Sequence, residues 1–407
     1  MAWGAIATVT LAMLGTVAPQ YFVEKDTSSV TVNLSSIYDF SFDLYRQLSP
    51  KGRAENILFS PYSIWAALAM AYFGSEGDTK IQLKAALRVT DKISTLKLWR
   101  KLGMKYSENA TTVTQHSLSV VNRAYFDESL TLRPYMSKIL HSELKLIDFS
   151  DLQESAATIN AFVSNTTNGK IPTLLSPDDL VYAVMLLINA AYFKGTWKYQ
   201  FDSSSTASKQ FFVSPGNPVD VLMMKTKTKL RLVKSTELQA NVLEVPYVGD
   251  AFSLLLFLPD TEGEEGLSYM VSMLTSDSLL KVTNGNDEAV MIDLLLPKFT
   301  LEQIFKDDLK ESLRNLGIRN LFNASLADLS QFAVSEQLVV TSTIHKAYIE
   351  VNEEGTEAAA VGVVGSYARS LESSEQSFHC NRPFMFIIHD KETNNVLFIG
   401  AYMKPQT

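Results

Sequence analysis

Between Glu357 and Arg369 the chain runs eleven residues, Ala358 to Ala368, without a charge and almost without bulk. A linker that only has to stay in water is normally polar or charged, and this one is Ala, Val and Gly with one Ser and one Tyr. Alternate residues of a strand point to opposite faces, so every second position tests the segment as a strand. One set is Thr356, Ala358, Ala360, Gly362, Val364, Ser366 and Ala368, all small or medium and uncharged; the other carries Glu357, Val361 and Tyr367. A strand with that division can enter the middle of a sheet with its small set inward. Glu353, Glu354 and Gly355 precede it as a charged stop and a flexible hinge. Composition alone is equally compatible with a mobile Ala/Gly-rich loop.

A host sheet needs a large core, and the chain has the material for one. It has 407 residues, 46% of them hydrophobic and 20% charged, as in a soluble globular protein. Cys380 is the single cysteine, so no intramolecular disulfide exists and the core must hold without covalent staples. We read Cys380 itself as a half-buried small apolar residue rather than a reactive thiol. The net charge of −8 argues against a general nucleic-acid binder.

Residues 1–18 are apolar and carry no charged side chain. That length is short for a membrane span and suits a signal peptide, although no Lys or Arg precedes the run and Pro19 follows Ala18, which leaves the cleavage point open. No later stretch is long and apolar enough for a transmembrane helix, so the mature chain is expected to be secreted, extracellular and free of membrane. Sequons at Asn33, Asn109, Asn165 and Asn323 fit an extracellular glycoprotein.

Ile37, Phe40, Leu44 and Leu48 predict a helix over 35–48, ended by Ser49-Pro50. Ile64 to Ala71, after Ser60-Pro61, is apolar nearly all round and predicts a buried helix. On a third helix, 92–106, Lys97, Arg100, Lys101 and Lys105 fall to one side. They are either a site for a sulfated polysaccharide or a solvated face. Residues 117–126 read as a strand and 155–163 as a helix, and Val181 to Tyr192 reads as a strand buried on both faces. Residues 242–247 and 252–258 form a hairpin, 260–266 an exposed acidic loop, and 384–389 with 396–399 a closing hairpin. Ile304, Phe305, Leu309, Leu313 and Leu316 predict a helix capped by Gly317. No composition break divides the chain, and one mixed α+β domain is the simplest reading.

The chain carries no Gly-x-Ser-x-Gly elbow, no phosphate-binding Gly-Lys-Ser/Thr loop and no His-Glu-x-x-His pair. Its histidines, at 116, 141, 345, 379 and 389, lie at no metal-ligand spacing, so neither metal nor cofactor is expected.

A set of motifs spread along the chain resembles the serpin family. They are residues 56–63, Asn168-Gly169-Lys170-Ile171, Asn189 to Trp197, Leu296-Pro297-Lys298-Phe299 and Ala327-Asp328-Leu329-Ser330. After these come His345-Lys346-Ala347, the stretch Glu353 to Ala360, Arg382-Pro383-Phe384 and Leu397-Phe398-Ile399-Gly400. The resemblance covers Ser35 to Pro405. It implies a single α+β domain over 35–407 with three sheets, about nine helices and an exposed reactive loop at about 353–378, following an N-terminal segment at 19–34.

It also implies a monomeric suicide inhibitor of serine proteases, not an enzyme. The hinge is Glu353, Glu354, Gly355, Thr356, Glu357, Ala358, Ala359 and Ala360, and the reactive bond joins Arg369 to Ser370. Arginine there points to trypsin-like partners trapped as a covalent complex. Ser60, Ser63, Asn189 and His345 resemble the family's polar cluster beneath the central sheet, and Glu353 and Lys298 resemble the ion pair at its top, near Trp197. Departures are minor: Val361 replaces a smaller hinge residue on the outward set, and Ala401 stands where a basic residue is commoner. A non-inhibitory serpin acting as carrier or storage protein is the alternative, and a secreted hydrolase a third reading.

Overall fold

Two apolar patterns decide the architecture, a helix buried all round and a strand buried on both faces. The computed structural model describes residues 34–49, 55–112, 116–333, 338–356 and 375–405. Among them are nine α-helices: α1 (Ser35–Leu48), α2 (Pro61–Gly74), α3 (Gly77–Ala86), α4 (Lys92–Thr112), α5 (Pro134–Leu140), α6 (Leu152–Thr166), α7 (Gly263–Met273), α8 (Ser276–Asn284) and α9 (Asp307–Asn315). Helix α2 starts where the Ser63 N–H donates to the Ser60 hydroxyl with Pro61 at the first helical position. All fourteen of its residues are buried because it lies between two sheets and has no face to give to water.

The central sheet has the order β10 (Phe299–Phe305), β11 (Val340–Val351), β12 (Gly355–Thr356), β4 (Met185–Thr196), β2 (His116–Asp127) and β3 (Leu144–Ile147). Below the two-residue β12, β11 pairs directly with β4 in parallel. Of the residues of β4 only Lys194 is not fully buried. One face meets the main core; on the other, Leu186, Ile188 and Ala190 pack with Ile159 and Val163 of α6. Coverage on both sides is why this strand reads as a continuous apolar run.

The remaining strands run β1 (Ile57–Phe59), β15 (Asn395–Tyr402), β14 (Phe384–Asp390), β8 (Phe252–Pro259), β7 (Ala240–Pro246), β6 (Asn217–Ser235), β9 (Ala289–Pro297) and β13 (Gln376–His379), with β5 (Ala207–Ser214) paired to β6. Strand β6 serves two sheets: residues 217–231 pair β5 and β9, and residues 231–235 pair β7. With the central sheet this makes the three sheets of the expected α+β fold.

Four expectations need correction. Val181 and Tyr182 lie in an exposed turn, and β4 starts only at Met185. Ile304 and Phe305 belong to β10, where Phe299, Leu301 and Phe305 face inward at a period of two; the helix begins after them, at Asp307. Gly317, at φ +97, does follow its end. The acidic loop at 260–266 runs into α7, whose first turn holds Glu264 and Glu265, carboxylates favoured at a helix N-terminus. Cys380 is fully buried, beyond the half burial expected, and burial pushes its thiol far above its ordinary value. No helix among the described residues is long and apolar enough to cross a membrane.

Candidate functional site

At the top of the central sheet the chain leaves β11 through a turn built by Asn352. The Asn352 N–H donates to the Gly355 carbonyl at 2.9 Å, and its side-chain oxygen accepts from the N–H groups of Glu354 and Gly355 at 3.1 and 3.2 Å. Gly355 and Thr356 then form β12, antiparallel to both neighbours, with Thr356 opposite Val351 on one side and Gly195 on the other. Gly355 is required by space: a Cβ would lie 1.9 Å from the Gly195 carbonyl oxygen. It is therefore a point of close approach rather than the flexible hinge expected.

Thr356 is fully buried, its side chain inward as the alternation predicts, and its hydroxyl meets that of Tyr247. Tyr247 stacks on Trp197, ring centroids 4.6 Å apart, and the Trp197 indole N–H donates to the Asn352 carbonyl at 2.8 Å. The backbone N–H groups of Trp197 and Phe201 donate to the carbonyls of Glu354 and Glu353, both at 2.9 Å. The Glu353 carboxylate accepts from Lys298 at 2.8 Å and from the Thr206 hydroxyl at 2.9 Å. Burial pushes that carboxyl up, but hydrogen bonds led by Lys298 outweigh it and hold the group below its ordinary value.

Halfway down, four predicted residues come together. The Ser60 N–H donates to His345 Nε2 at 3.0 Å, so Nε2 carries no proton; Nδ1 carries it and donates to the Asn189 side-chain oxygen. Asn189 Nδ2 donates to the Ser63 carbonyl at 2.5 Å. Asn122 of β2 completes the cluster, in reach of the carbonyls of Ser63 and Val121 at 3.0 Å each. His345 is fully buried, and burial lowers its pKa to about 3, so the ring is neutral. Asn189 on β4 and His345 on β11 stand opposite each other, and their hydrogen bond closes the sheet. At the bottom the Thr341 hydroxyl accepts from Val184 N–H at 3.1 Å and donates to the Met185 carbonyl at 2.8 Å, a further tie between the same strands.

Register links these three levels. Thr356 stands opposite Val351 and Gly195, an offset of 156 positions, and the same offset separates His345 from Asn189. A strand continuing β12 downward needs β4 and β11 to separate sideways without sliding along each other. The chemistry on offer is that of a slot for one more strand.

One sequence profile, described as serpin (serine protease inhibitor), matches residues 35–405. The chain belongs to the serpin family. Serpins are inhibitors of proteases rather than enzymes. The chain is 32% identical over 386 residues to human serpin B3, across 90% of this chain and 97% of that protein. It is 35% identical over 384 residues to the leukocyte elastase inhibitor of Xenopus tropicalis, across 92% of this chain and 100% of that protein. Its fold is similar to the crystal structure of human thyroxine-binding globulin complexed with thyroxine, with a TM-score of 0.80 at 27% identity, covering 92% of this chain and 99% of that one.

Within this serpin, Glu357, Ala358, Ala359, Ala360, Arg369, Ser370 and Asn33 lie outside the described residues, as do residues 1–18. Asn165 and Asn323 are exposed, Asn165 at the end of α6 and Asn323 after a short 3₁₀ turn; of Asn109 only its place on α4 is described. Lys97, Arg100, Lys101 and Lys105 share α4, all half-buried. Lys105 pairs with the buried Asp390 at 3.0 Å and with Glu392 at 2.7 Å, and Arg100 donates to the Ile139 carbonyl at 3.4 Å. Asn122, Tyr247, Asn352, Thr206 and Thr341 were not anticipated. Asn122 follows the apolar Val120–Val121 pair but sits beside Arg123 in a strand of mixed character, so neither it nor the others carried a local signal.

Proposed function

We propose that this serpin is a secreted suicide inhibitor of trypsin-like serine proteases, attacked at Arg369–Ser370. The observation that carries the reading is β12, a strand already begun between β4 and β11 with the buried Thr356 as its first inward residue. Arg369 is the only basic residue between Glu353 and Phe378, and it suits a specificity pocket with an acidic base.

The protease serine attacks the Arg369 carbonyl carbon, the peptide bond to Ser370 breaks, and the Ser370 nitrogen leaves as an amine carrying the proton delivered by the protease histidine. The freed end then extends β12 down the slot, exchanging the direct β4–β11 pairing for two antiparallel ladders. Arg369 lies thirteen positions beyond Thr356, so at about 3.4 Å per residue the inserted ester comes to rest about 44 Å from Thr356. The protease is distorted before water reaches the ester. Glu353, Lys298 and Trp197 steady the entrance, and Ser60, Ser63, Asn189 and His345 yield as the strand passes.

Mixing the protein with trypsin should give a complex that survives a denaturing gel, and Arg369→Ala should abolish it. Clean cleavage without complex would overturn the proposal. The second reading, a non-inhibitory carrier, is favoured by the likeness to thyroxine-binding globulin; it predicts no rise in melting temperature after loop cleavage, whereas an inhibitor gains much. Exposure of Asn165 and Asn323 agrees with glycosylation in a secretory pathway, and a mass loss on glycosidase treatment of the secreted protein tests it. With Lys105 neutralised by Asp390 and Glu392, a sulfated-polysaccharide site on α4 receives little support.

A further inference from the structure

Asn323 lines a hollow of about 580 Å³ between the C-terminal half of α9 and the short 3₁₀ turn Asn320–Phe322. That volume lies within the range of about 300–1,000 Å³ usual for small-ligand sites. Phe322, Arg314, Arg319 and Glu311 line it as well. The Arg314 guanidinium stands 6.0 Å from the centre of the Phe322 ring, and its Nη1 lies 3.6 Å from the Glu311 carboxylate. Arg319 is exposed; its Nε donates to the Arg314 carbonyl at 3.4 Å, and among the described residues it pairs with no carboxylate.

The segment that carries Asn323 is fixed. The N–H groups of Arg319 and Asn320 donate to the Gln82 side-chain oxygen on α3 at 2.9 and 2.8 Å. The Asn323 carbonyl accepts from the N–H groups of Leu326 and Ala327 at 3.1 and 2.8 Å. The Asn323 side-chain oxygen accepts from the Ser325 N–H at 2.9 Å, so the sequon closes on itself. With that oxygen held, the exposed side chain presents its amide nitrogen, which donates to no group among the described residues.

We infer that Asn323 carries an N-linked glycan whose first sugars lie in this hollow, against Phe322 and within reach of Arg314, Arg319 and Glu311. This rests on the secretory reading. The donor is an oligosaccharide on a polyprenyl diphosphate. The bond from sugar C1 to phosphate oxygen breaks, C1 joins Asn323 Nδ2, the diphosphate leaves with the electron pair, and Nδ2 loses one proton. The core sugars bring hydroxyls, N-acetyl groups and apolar ring faces. Arginines offer donors alone, for the sugar and acetyl oxygens, Glu311 offers acceptors alone, for the hydroxyls, and Phe322 gives an apolar wall. A free molecule would be held weakly in so open a hollow. A ligand tethered at Nδ2 is always at high local concentration, so the same weak contacts keep it seated.

The test uses the full chain expressed in a eukaryotic secretory host, with a glycan-releasing amidase that converts the modified Asn to Asp and peptide mass mapping of each sequon. Asn323 should be occupied. Its release from the native protein should be at least about tenfold slower than from the urea-denatured chain, because the amidase reaches the linkage only when the core leaves its seat. In the double variant Arg314→Ala/Arg319→Ala, release from native protein should rise to within about threefold of the denatured rate, with the urea midpoint of the protein retained to show that it is folded. An unoccupied Asn323 in the secreted chain, or the same slow release in parent and variant, overturns the inference. A chain that stays inside the cell with every sequon empty is the failure of the secretory reading itself, and this inference falls with it.

Discussion

The hydroxyl of Thr356 lies 2.8 Å from the hydroxyl of Tyr247, and both side chains are excluded from solvent. This pair anchors β12 from its inward face. Around it the Trp197 ring, the Asn352 turn and the Glu353–Lys298 contact hold the rest.

Tyr247→Phe should lower stability by about 1–3 kcal/mol, because it leaves the Thr356 hydroxyl buried without its partner. Thr356→Val does the same to Tyr247, and the double variant should recover part of the loss, as a double-mutant cycle on urea midpoints would read. Thr356→Arg is more severe, since a guanidinium has no place at a fully buried site. Trypsin should still cleave that variant but no longer be trapped by it; a stable complex would contradict the role given to β12.

Gly355→Ala tests the close approach to Gly195. The added methyl overlaps a backbone carbonyl that β4 fixes, so β12 should be expelled from the sheet. Amide exchange at Trp197 and Phe201, whose N–H groups are held by the Glu354 and Glu353 carbonyls, should rise at least tenfold. Unaltered protection would mean that the strand can shift to make room.

Burial holds His345 down at about 3, and burial, against the opposing pull of Asp390, holds His389 down at about 4. Both are neutral in the fold, while an unfolded chain protonates them near 6.5. The unfolded state therefore binds more protons below that pH, and stability is full above about 6.5 and falls as pH drops toward the folded values. Between pH 7 and 5 each ring costs about 2 kcal/mol. His345→Gln should remove about half of that fall in the urea midpoint. Equal slopes in parent and variant would discount His345.

Continuing the register of β12 brings Gly362 between Asn189 and His345, where the inserting strand must part their hydrogen bond. Gly362→Leu should raise the number of inhibitor molecules consumed per trypsin trapped, because a slower passage gives water time to release the enzyme. Recognition at Arg369 should be untouched. A stoichiometry equal to the parent's would show that this level of the sheet does not limit insertion.

Much of the fold is readable from residue pattern where burial is one-sided or complete. Helix α1 shows its 3-4-4 spacing, α2 and β4 show their all-round burial, and the hairpin of β7 and β8 shows its turn. What escapes is set by partners distant in sequence. Ile304 and Phe305 fit a helical period with Leu309 as well as a strand period with Leu301, and only pairing with β11 decides between them. Tyr182 continues the apolar run of β4 by composition, yet the chain turns before it joins. In the site, Ser60, Ser63, Asn189 and His345 stood out through family motifs. Asn352, Thr206 and Thr341 act through side-chain hydrogen bonds that no local pattern marks.

Beyond their parallel backbone ladder, the side-chain hydrogen bonds that tie β4 to β11 among the described residues are few, at Asn189–His345 and at Thr341, and the slot they close already holds the first residues of the strand proposed to fill it. Such a molecule is preserved by slowness. On the inhibitory reading proposed above, its useful form lasts as long as those ties delay an event that is downhill from the moment of synthesis, and heating it then reports a lifetime, a rate of escape, rather than the depth of an energy minimum.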